Sequence, residues 1–502
     1  MKSPAGVFIQ PVHDAQTAGA PQWVRIAHAV RHAAASGAVA RGERLPSARQ
    51  LALDWRVSRG AVDDAFAQLQ LEGLIERRVG DGTYLSTQAP AAPAPMRPVA
   101  PDARRVLQRS KLLGGRPISR AESARPSLPS PPFHPRSTDI DAFPLELWRR
   151  LMLRAHDDPQ LLMGTPPGGL PALREAIARH LAIHRGLVCS PEQILVVNGA
   201  GEGMQLVGRL LMAPGDSMWI EDPSHASLPF LMQSMGIEVH GVPLDSAGLD
   251  VAAGRRIAPR ATLCYLHPLT QYPLGIRTRS ERCQQLLQWA RETGAWIVEG
   301  HMNDELVPAA EQPPSLMAQD RAGRVLMQGT FEGVVFPSLR VAYLVLPKAL
   351  APSFIAAAPT FCDHVAAPVQ AALAEFIDRG HMTAFLQKQR RGMLHRRELV
   401  RRALLTTLPP GVRAGPMTSG LTLCLHLPRE LGDNELACRL RAQRVFVEAL
   451  STMAWQVRGL NGIALGYGGL DDERLLQGLR AISQTLAEAC EGRAYQPTGE
   501  NA

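Results

Sequence analysis

The sequence predicts an α/β protein preceded by a small helical unit and closed by a smaller α+β lobe. Three observations carry this expectation. Between about Pro135 and residue 369, helical stretches alternate with short apolar runs, the pattern of an open α/β sheet with ligand chemistry at its strand C-termini. Over residues 15–87, three short helical segments lead into a glycine-tipped hairpin. From residue 370 the alternation gives way to a long Arg-rich helix, a few strands and a terminal helix.

Composition narrows the function classes. The 502 residues allow two or three domains, because single cores stop growing near roughly 250 to 300 residues. An apolar content of 45% with 20% charged residues describes an ordinary globular chain. No run approaches the roughly 18 apolar residues of a membrane span, and MKSPAGVFIQPVHD lacks the apolar core of a secretion signal. The expected location is the cytoplasm, with no membrane partner. Seven cysteines lie scattered without C-x-x-C spacing and read as small core residues, so neither a disulfide framework nor a metal site is expected.

The net charge of +8 permits a polyanionic partner, and its distribution is uneven. Residues 88–135 hold eight Arg or Lys against two acidic side chains and contain eleven prolines. Such a segment neither sustains a long helix nor pairs as a central strand. It reads as an extended basic linker between domains, or as a proline-rich arm wrapped on the larger one.

In the first unit, PQWVRIAHAVRHAAASG places Trp23, Ile26, Ala27, Val30 and Ala34 on one helical face and stops at Gly37. Ser47 is the expected N-cap of a short helix in LPSARQLALDW. Ser58 caps the next helix, with Val62, Phe66 and Leu69 on its buried stripe and Gly73 at its end. IERRVGDGTYL then forms two short strands around Gly80-Asp81-Gly82. Two helices with a tight connection and a glycine-tipped hairpin describe a winged helix-turn-helix, whose second helix can enter the major groove of double-stranded DNA.

From Leu45 to Leu85 this block resembles the DNA-binding domain of the GntR family. The resemblance implies that Arg49, Ser58, Arg59 and the wing around Gly82 and Thr83 meet a DNA operator. Arginine's planar fork suits guanine O6 and N7, so Arg59 is expected at a base edge, Arg49 at a base or phosphate and Ser58 at a phosphate. The threonine usual after Ser-Arg-x is Ala61 here, which removes one phosphate contact. Nine Arg against seven acidic residues leave segment 21–87 at only +2. Specific affinity is therefore expected to need a dimer or the basic linker.

In the second unit, PALREAIARHLAIHRG and SERCQQLLQWARETG read as helices; QILVVNG, SMWIEDP, TLCYLHP, AWIVEG and RVLMQGTF read as buried strands. FPLELWRR, GTPPGGLPALREAIARHLAIHRGL, LLMAPGDSMWIEDPSH, QYPLG and FPSLRVAYLVLP resemble, in order, a fold-type I aminotransferase of the MocR subfamily, in which a GntR-type reader is fused to an aminotransferase-like domain. The implied division is a reader at 15–87, a linker at 88–135, a large domain at 136–369 and a small lobe at 370–502.

That resemblance also implies a pyridoxal-phosphate site, and here the residues depart from it. The Schiff-base lysine position falls on Gly333, the pyridine-binding aspartate on Gly300 and the tyrosine on Met302. The chain's four lysines are Lys2, Lys111, Lys348 and Lys388, so none lies within reach of the site in sequence. An internal aldimine is excluded, because it needs an amine. Other positions remain as a remnant pocket: Gly199, Ala200 and Gly201 in a glycine-rich turn, His225 in place of a tyrosine, Thr270, and Arg340 on the phosphate side. The glycines leave two outcomes open, an enlarged cavity or one closed by backbone. Glu299, Asp304, Glu305, His301 and Glu332 would supply acid-base groups only if they converged. The expected function is a homodimeric regulator of transcription with a catalytically inactive domain that dimerises and senses an anionic effector. Noncovalent pyridoxal phosphate, a purely structural dimeriser and a repurposed enzyme stand as alternatives.

Overall fold

A computed structural model describes residues 19–88, 131–135, 139–225, 227–308, 312–417 and 421–491. The chain divides into two compact units, Met1–Gln108 and Arg109–Ala502. Their boundary falls inside the predicted linker, most of which lies outside the described residues.

The first unit contains α1 (Gln22–Ala35), β1 (Arg44–Leu45), α2 (Ala48–Trp55), α3 (Arg59–Leu71), β2 (Ile75–Arg78) and β3 (Gly82–Leu85). Ile26, Val30, Leu51, Val62, Phe66 and Leu69 from the three helices meet Ile75 and Leu85 of the hairpin in one core. Burying each of the larger side chains contributes about 1.5 to 3 kcal/mol. Both serine caps are in place: Ser47 Oγ accepts from the Gln50 amide at 3.2 Å and Ser58 Oγ from the Ala61 amide at 3.1 Å. Two expectations need correction. Trp23, predicted on the same face as Ile26 and Val30, is exposed at 37% in the first turn of α1 while the others are buried. The predicted two-stranded wing is a three-stranded sheet, because β1 pairs with β3 through Arg44 opposite Tyr84 and Leu45 opposite Thr83.

The second unit is built on an eight-stranded sheet of order β4-β11-β10-β9-β8-β5-β6-β7. The strands are β4 (Ile194–Val197), β5 (Ser217–Asp222), β6 (Glu238–Asp245), β7 (Gly248–Leu249), β8 (Leu263–Leu266), β9 (Trp296–His301), β10 (Val325–Thr330) and β11 (Ala342–Val345). Strands β5, β6, β8, β9 and β10 run parallel, while β11 is antiparallel to both β10 and β4. The consequence is positional. The ends of β4, β5, β8, β9 and β10 and the start of β11 share one edge of the sheet, where the loops after parallel strands collect. Trp219 of β5 stacks on Trp289 of helix Ser280–Thr293 at 4.1 Å, pinning that helix to the opposite strands' core.

The small lobe is an antiparallel sheet of order β12-β13-β15-β14, from β12 (Arg413–Ala414), β13 (Thr422–His426), β14 (Glu448–Ala449) and β15 (Gly462–Gly466). Helices His381–Val400, Asp433–Ala442 and Asp472–Glu491 accompany it. Residues 131–135, predicted as the end of the linker, are docked on this lobe. Phe133 is 1% exposed, its carbonyl accepts from the Gly466 amide at 2.8 Å, and the Pro132 carbonyl accepts from Phe446 at 3.0 Å. The prolines do not prevent this docking, because these backbone bonds use carbonyl oxygens, which proline keeps. Asp222, at the end of β5, joins domain to lobe: its carboxylate accepts from the amides of Trp455, Gln456 and Val457 at 2.6 to 2.7 Å.

Candidate functional site

The reader presents its candidate contacts on α2, α3 and the wing. Only Arg56, Val57 and Ser58 separate the two helices, and Arg56 turns the chain at φ 51°. Ser58 starts α3; its oxygen is engaged by the Ala61 amide, which leaves the hydroxyl hydrogen available to an acceptor such as a phosphate oxygen. Arg49, Ser58 and Arg59 are exposed. Arg59 Nε is 3.5 Å from Asp63 Oδ2, one turn along, and Arg77 reaches Asp63 from the wing at 3.8 Å. At the wing, Gly82 has φ +138°, and a Cβ there would lie 2.8 Å from Arg44 Nε. Glycine therefore lets the Arg44 side chain cross the hairpin. Arg78 covers the Tyr84 ring at 4.3 Å, and the Tyr84 hydroxyl donates to Asp81 at 2.9 Å. Thr83 is half-buried in β3. Arg44 and Arg78 are additions to the predicted set; the pairing of β1 with β3 brings in Arg44, and Arg78 stands opposite Gly82 in the hairpin itself.

At the strand-end edge, neighbours fill the space that the glycine substitutions vacate. A Cβ on Gly333 would lie 2.0 Å from the amide end of Asn303 and 2.7 Å from the Met302 carbonyl oxygen. The Asn303 amide nitrogen bonds the carbonyls of Met302 and Gly333 at 2.9 and 3.2 Å. A Cβ on Gly300 would meet the Tyr265 hydroxyl at 2.8 Å and His267 Nε2 at 2.9 Å. Tyr265 donates to Gln328 Oε1 at 3.2 Å, and Gln328 Nε2 donates to the Ala200 carbonyl at 2.8 Å. The His267 amide donates to Glu221 at 2.9 Å; burial pushes the Glu221 carboxyl up, only partly offset by His267. A polar chain thus crosses from β5 through β8 and β10 to the start of helix Ala200–Leu211. At Gly333 and Gly300 the space of the missing side chains is taken, by neighbouring side chains as much as by backbone.

His301, Glu299 and Asp304 do converge, together with Arg185. His301 Nδ1 bonds the Asp304 carboxylate, which also accepts from the Thr270 hydroxyl. Arg185 Nη2 is 3.5 Å from Asp304, and Glu299 lies 3.3 Å from His301 Nε2 while accepting from the Leu316 and Met317 amides. Burial and Arg185 push the His301 pKa down, but Asp304 and Glu299 outweigh them and raise it to about 9. Burial opposes the Asp304 charge, and His301, Arg185 and Thr270 overcome it, holding the carboxyl at about 2. Two cations thus face two carboxylates in a group no more than 8% exposed at any member. The cluster is a closed ion-pair network, and it absorbs Thr270. His225 lies elsewhere, its Nδ1 accepting from the hydroxyl and amide of Ser227 at 2.6 and 3.2 Å, its ring 6.4 Å from Tyr272.

Gly199, Arg340 and Glu332 form a third group. Gly199, at φ +87°, precedes helix Ala200–Leu211, and a Cβ there would lie 2.8 Å from both Glu332 Oε1 and Arg340 Nη2. Arg340 Nη1 is 3.7 Å from Glu332 Oε2.

Two family patterns match the chain: residues 23–85 as bacterial regulatory proteins of the gntR family, and residues 137–484 as aminotransferase class I and II. The chain is 31% identical over 445 residues to the probable rhizopine catabolism regulatory protein MocR of Rhizobium meliloti, covering 88% of each. It belongs to the MocR-type GntR regulators. A second relative is the HTH-type pyridoxine biosynthesis transcriptional regulator PdxR of Corynebacterium glutamicum, 30% identical over 91% of this chain and 94% of that one. The fold recurs in an archaeal alanine:glyoxylate aminotransferase, with a TM-score of 0.66 at 23% identity over 77% of this chain and 95% of that one. LysN, the alpha-aminoadipate aminotransferase of Thermus thermophilus, gives 0.63 at 25% identity over 70% and 90%.

A MocR-type chain carries a fold that normally holds pyridoxal phosphate. The positions that the resemblance assigns to its amine and carboxylate supply neither group in this chain. The amine position is a glycine under Asn303, the carboxylate position is a glycine against Tyr265 and His267, and the turn at Gly199 faces a carboxylate.

Proposed function

We propose that this MocR-type protein is a homodimeric, DNA-binding regulator of transcription whose aminotransferase-like domain is non-catalytic and serves dimerisation and effector sensing. The observation that carries the non-catalytic reading is the closure over Gly333, where Met302 and Asn303 stand in the space of a side chain. Transamination requires an amine that forms and releases an imine, and no group there can do so. The reader supports the regulatory half: Ser58 opens a helix of 13 residues whose first turn carries exposed Arg59, beside a wing edged by Arg44 and Arg78. A dimer supplies two such readers to two half-sites.

An effector has room away from the closed site. Ser246, Arg277, Thr278, Arg279 and Gln312 line an open cavity of about 940 Å³ that Pro416 of the lobe borders. With Arg277 and Arg279 against the single carboxylate of Glu281, the lining favours an anionic small molecule. Native mass spectrometry of the purified protein tests assembly and ligand together. A dimer with a discrete bound mass supports the sensor; a monomer overturns the dimer, and transamination of any amino acid would overturn the non-catalytic reading.

A further inference from the structure

The group formed by Gly199, Glu332 and Arg340 has the parts of an anion site, with an anion already in it. Helix Ala200–Leu211 is 12 residues long, so its first turn carries the positive end of a full helix dipole. Gly199 opens that turn in a conformation that suits glycine, and the missing Cβ is the space against which the Glu332 carboxylate and the Arg340 guanidinium rest, each 2.8 Å from where it would stand. A helix start beside an arginine is a place that suits a phosphate; here Glu332 lies against Gly199 and pairs with Arg340 at 3.7 Å, and the helix's own Glu202 accepts from the Asn198 amide at 2.7 Å.

Glu332 is not a drifting surface side chain. Its side chain is 21% exposed, against 55% for Arg340. Its amide donates to Thr330 Oγ1 at 3.1 Å, the Val335 amide returns to the Phe331 carbonyl at 2.8 Å, and Phe331, Val334 and Val335 are each 1% exposed. On its other side, Gly333 is tied to Asn303. The turn that carries the carboxylate is therefore fixed by buried neighbours at both ends. A phosphate entering the same space would meet a like charge at contact distance, in surroundings less screened than bulk water.

We infer that Glu332 is a built-in anion that occupies the site made by the start of helix Ala200–Leu211 and Arg340, so that no phosphorylated ligand enters while it is in place. The inference rests on the reading of this domain as non-catalytic and extends it: the site is occupied from within as well as lacking its amine.

The test is calorimetric titration of the full-length protein with inorganic phosphate and with pyridoxine 5′-phosphate, whose alcohol cannot form imines with surface lysines. Wild type is expected to show no saturable binding. Glu332→Ala is expected to bind both anions at least about tenfold more tightly than wild type, the scale of a charge-assisted contact at a helix start. Glu332→Gln, which keeps the side-chain volume, moves the same way, and Glu332→Ala combined with Arg340→Ala loses the gain. Saturable binding by wild type that Arg340→Ala abolishes would overturn the inference. So would a folded Glu332→Ala protein with no gain. Operator binding, measured on the same samples, serves as the control for folding, and its absence in wild type would sink the regulator reading while leaving the phosphate result to stand alone.

Discussion

Arg59 shows how much one side chain can be asked to do. It stands exposed on the first turn of α3, restrained by Asp63 one turn along. Arg59→Ala is expected to weaken operator binding by about 1 to 3 kcal/mol, the worth of a bidentate base contact, and to relax preference at one base pair per half-site. Fluorescence anisotropy with a matched and a substituted operator checks this; an equal loss on both would make Arg59 a phosphate contact. Gly333 makes the opposite point. Gly333→Lys restores the residue type of an aminotransferase, yet its Cβ would fall 2.7 Å from the Met302 carbonyl oxygen. The expected outcome is a loss of about 1 to 3 kcal/mol of stability from overpacking and no imine absorbance with pyridoxal phosphate, read from denaturant melts and visible spectra.

Elements decide what the buried charges are worth. The end of β9, the short turn Asp304–Leu306 and helix Pro171–Arg185 bring His301, Asp304 and Arg185 together. The His301 pKa is raised from 6.5 to about 9 in the fold, so the stability it supplies is fully present below pH 6.5 and is lost as pH rises through about 9. Asp304 works in the other direction, its contribution present above 3.8 and lost as pH falls through about 2. Thermal melts of wild type are therefore expected to fall between pH 7 and 9.5, and His301→Gln to flatten that slope. A slope unchanged in the variant would place its origin elsewhere. Asp304→Asn leaves Arg185 and His301 facing each other and is expected to cost about 3 to 5 kcal/mol, more than the neutral exchange at His301.

At the scale of the molecule, the reader's net charge of +2 over 21–87 is small beside the linker, where eight basic residues face two acidic ones. If both meet DNA, the logarithm of affinity falls with that of salt by about 0.9 per phosphate neutralised. Exchanging Arg104, Arg105 and Arg109 for Gln is expected to lower that slope by up to about 3 per protomer without changing base preference, in titrations from low to high salt. A slope that stays constant would remove the linker from the interface. Halving a two-site operator should cost far more affinity than any single arginine, since the second reader then binds without its partner's contribution to docking.

The sequence by itself determined the elements with clear caps or apolar runs and their order, but not strands such as β1 and β6. Ser47 and Ser58 announce helix starts, Val62, Phe66 and Leu69 a buried face, and the apolar runs at Ile194 and Val325 their strands, because caps and periodicity are local physics. It also put a glycine, which has no amine, at the position where the resemblance places the Schiff-base lysine. Only the tertiary structure decided what replaced it. Asn303 over Gly333, Tyr265 and His267 against Gly300, and Glu332 against Gly199 are contacts between different strands and their loops, separated by 30 to 133 residues. Such contacts depend on how parallel strands align at one edge, which no local pattern encodes. Phe133 gives the same lesson: inside a proline-rich segment it reads as linker, and it is buried because Gly478 of the terminal helix leaves space for its ring. A glycine in sequence is an absence; in the fold it is the place where a neighbour stands.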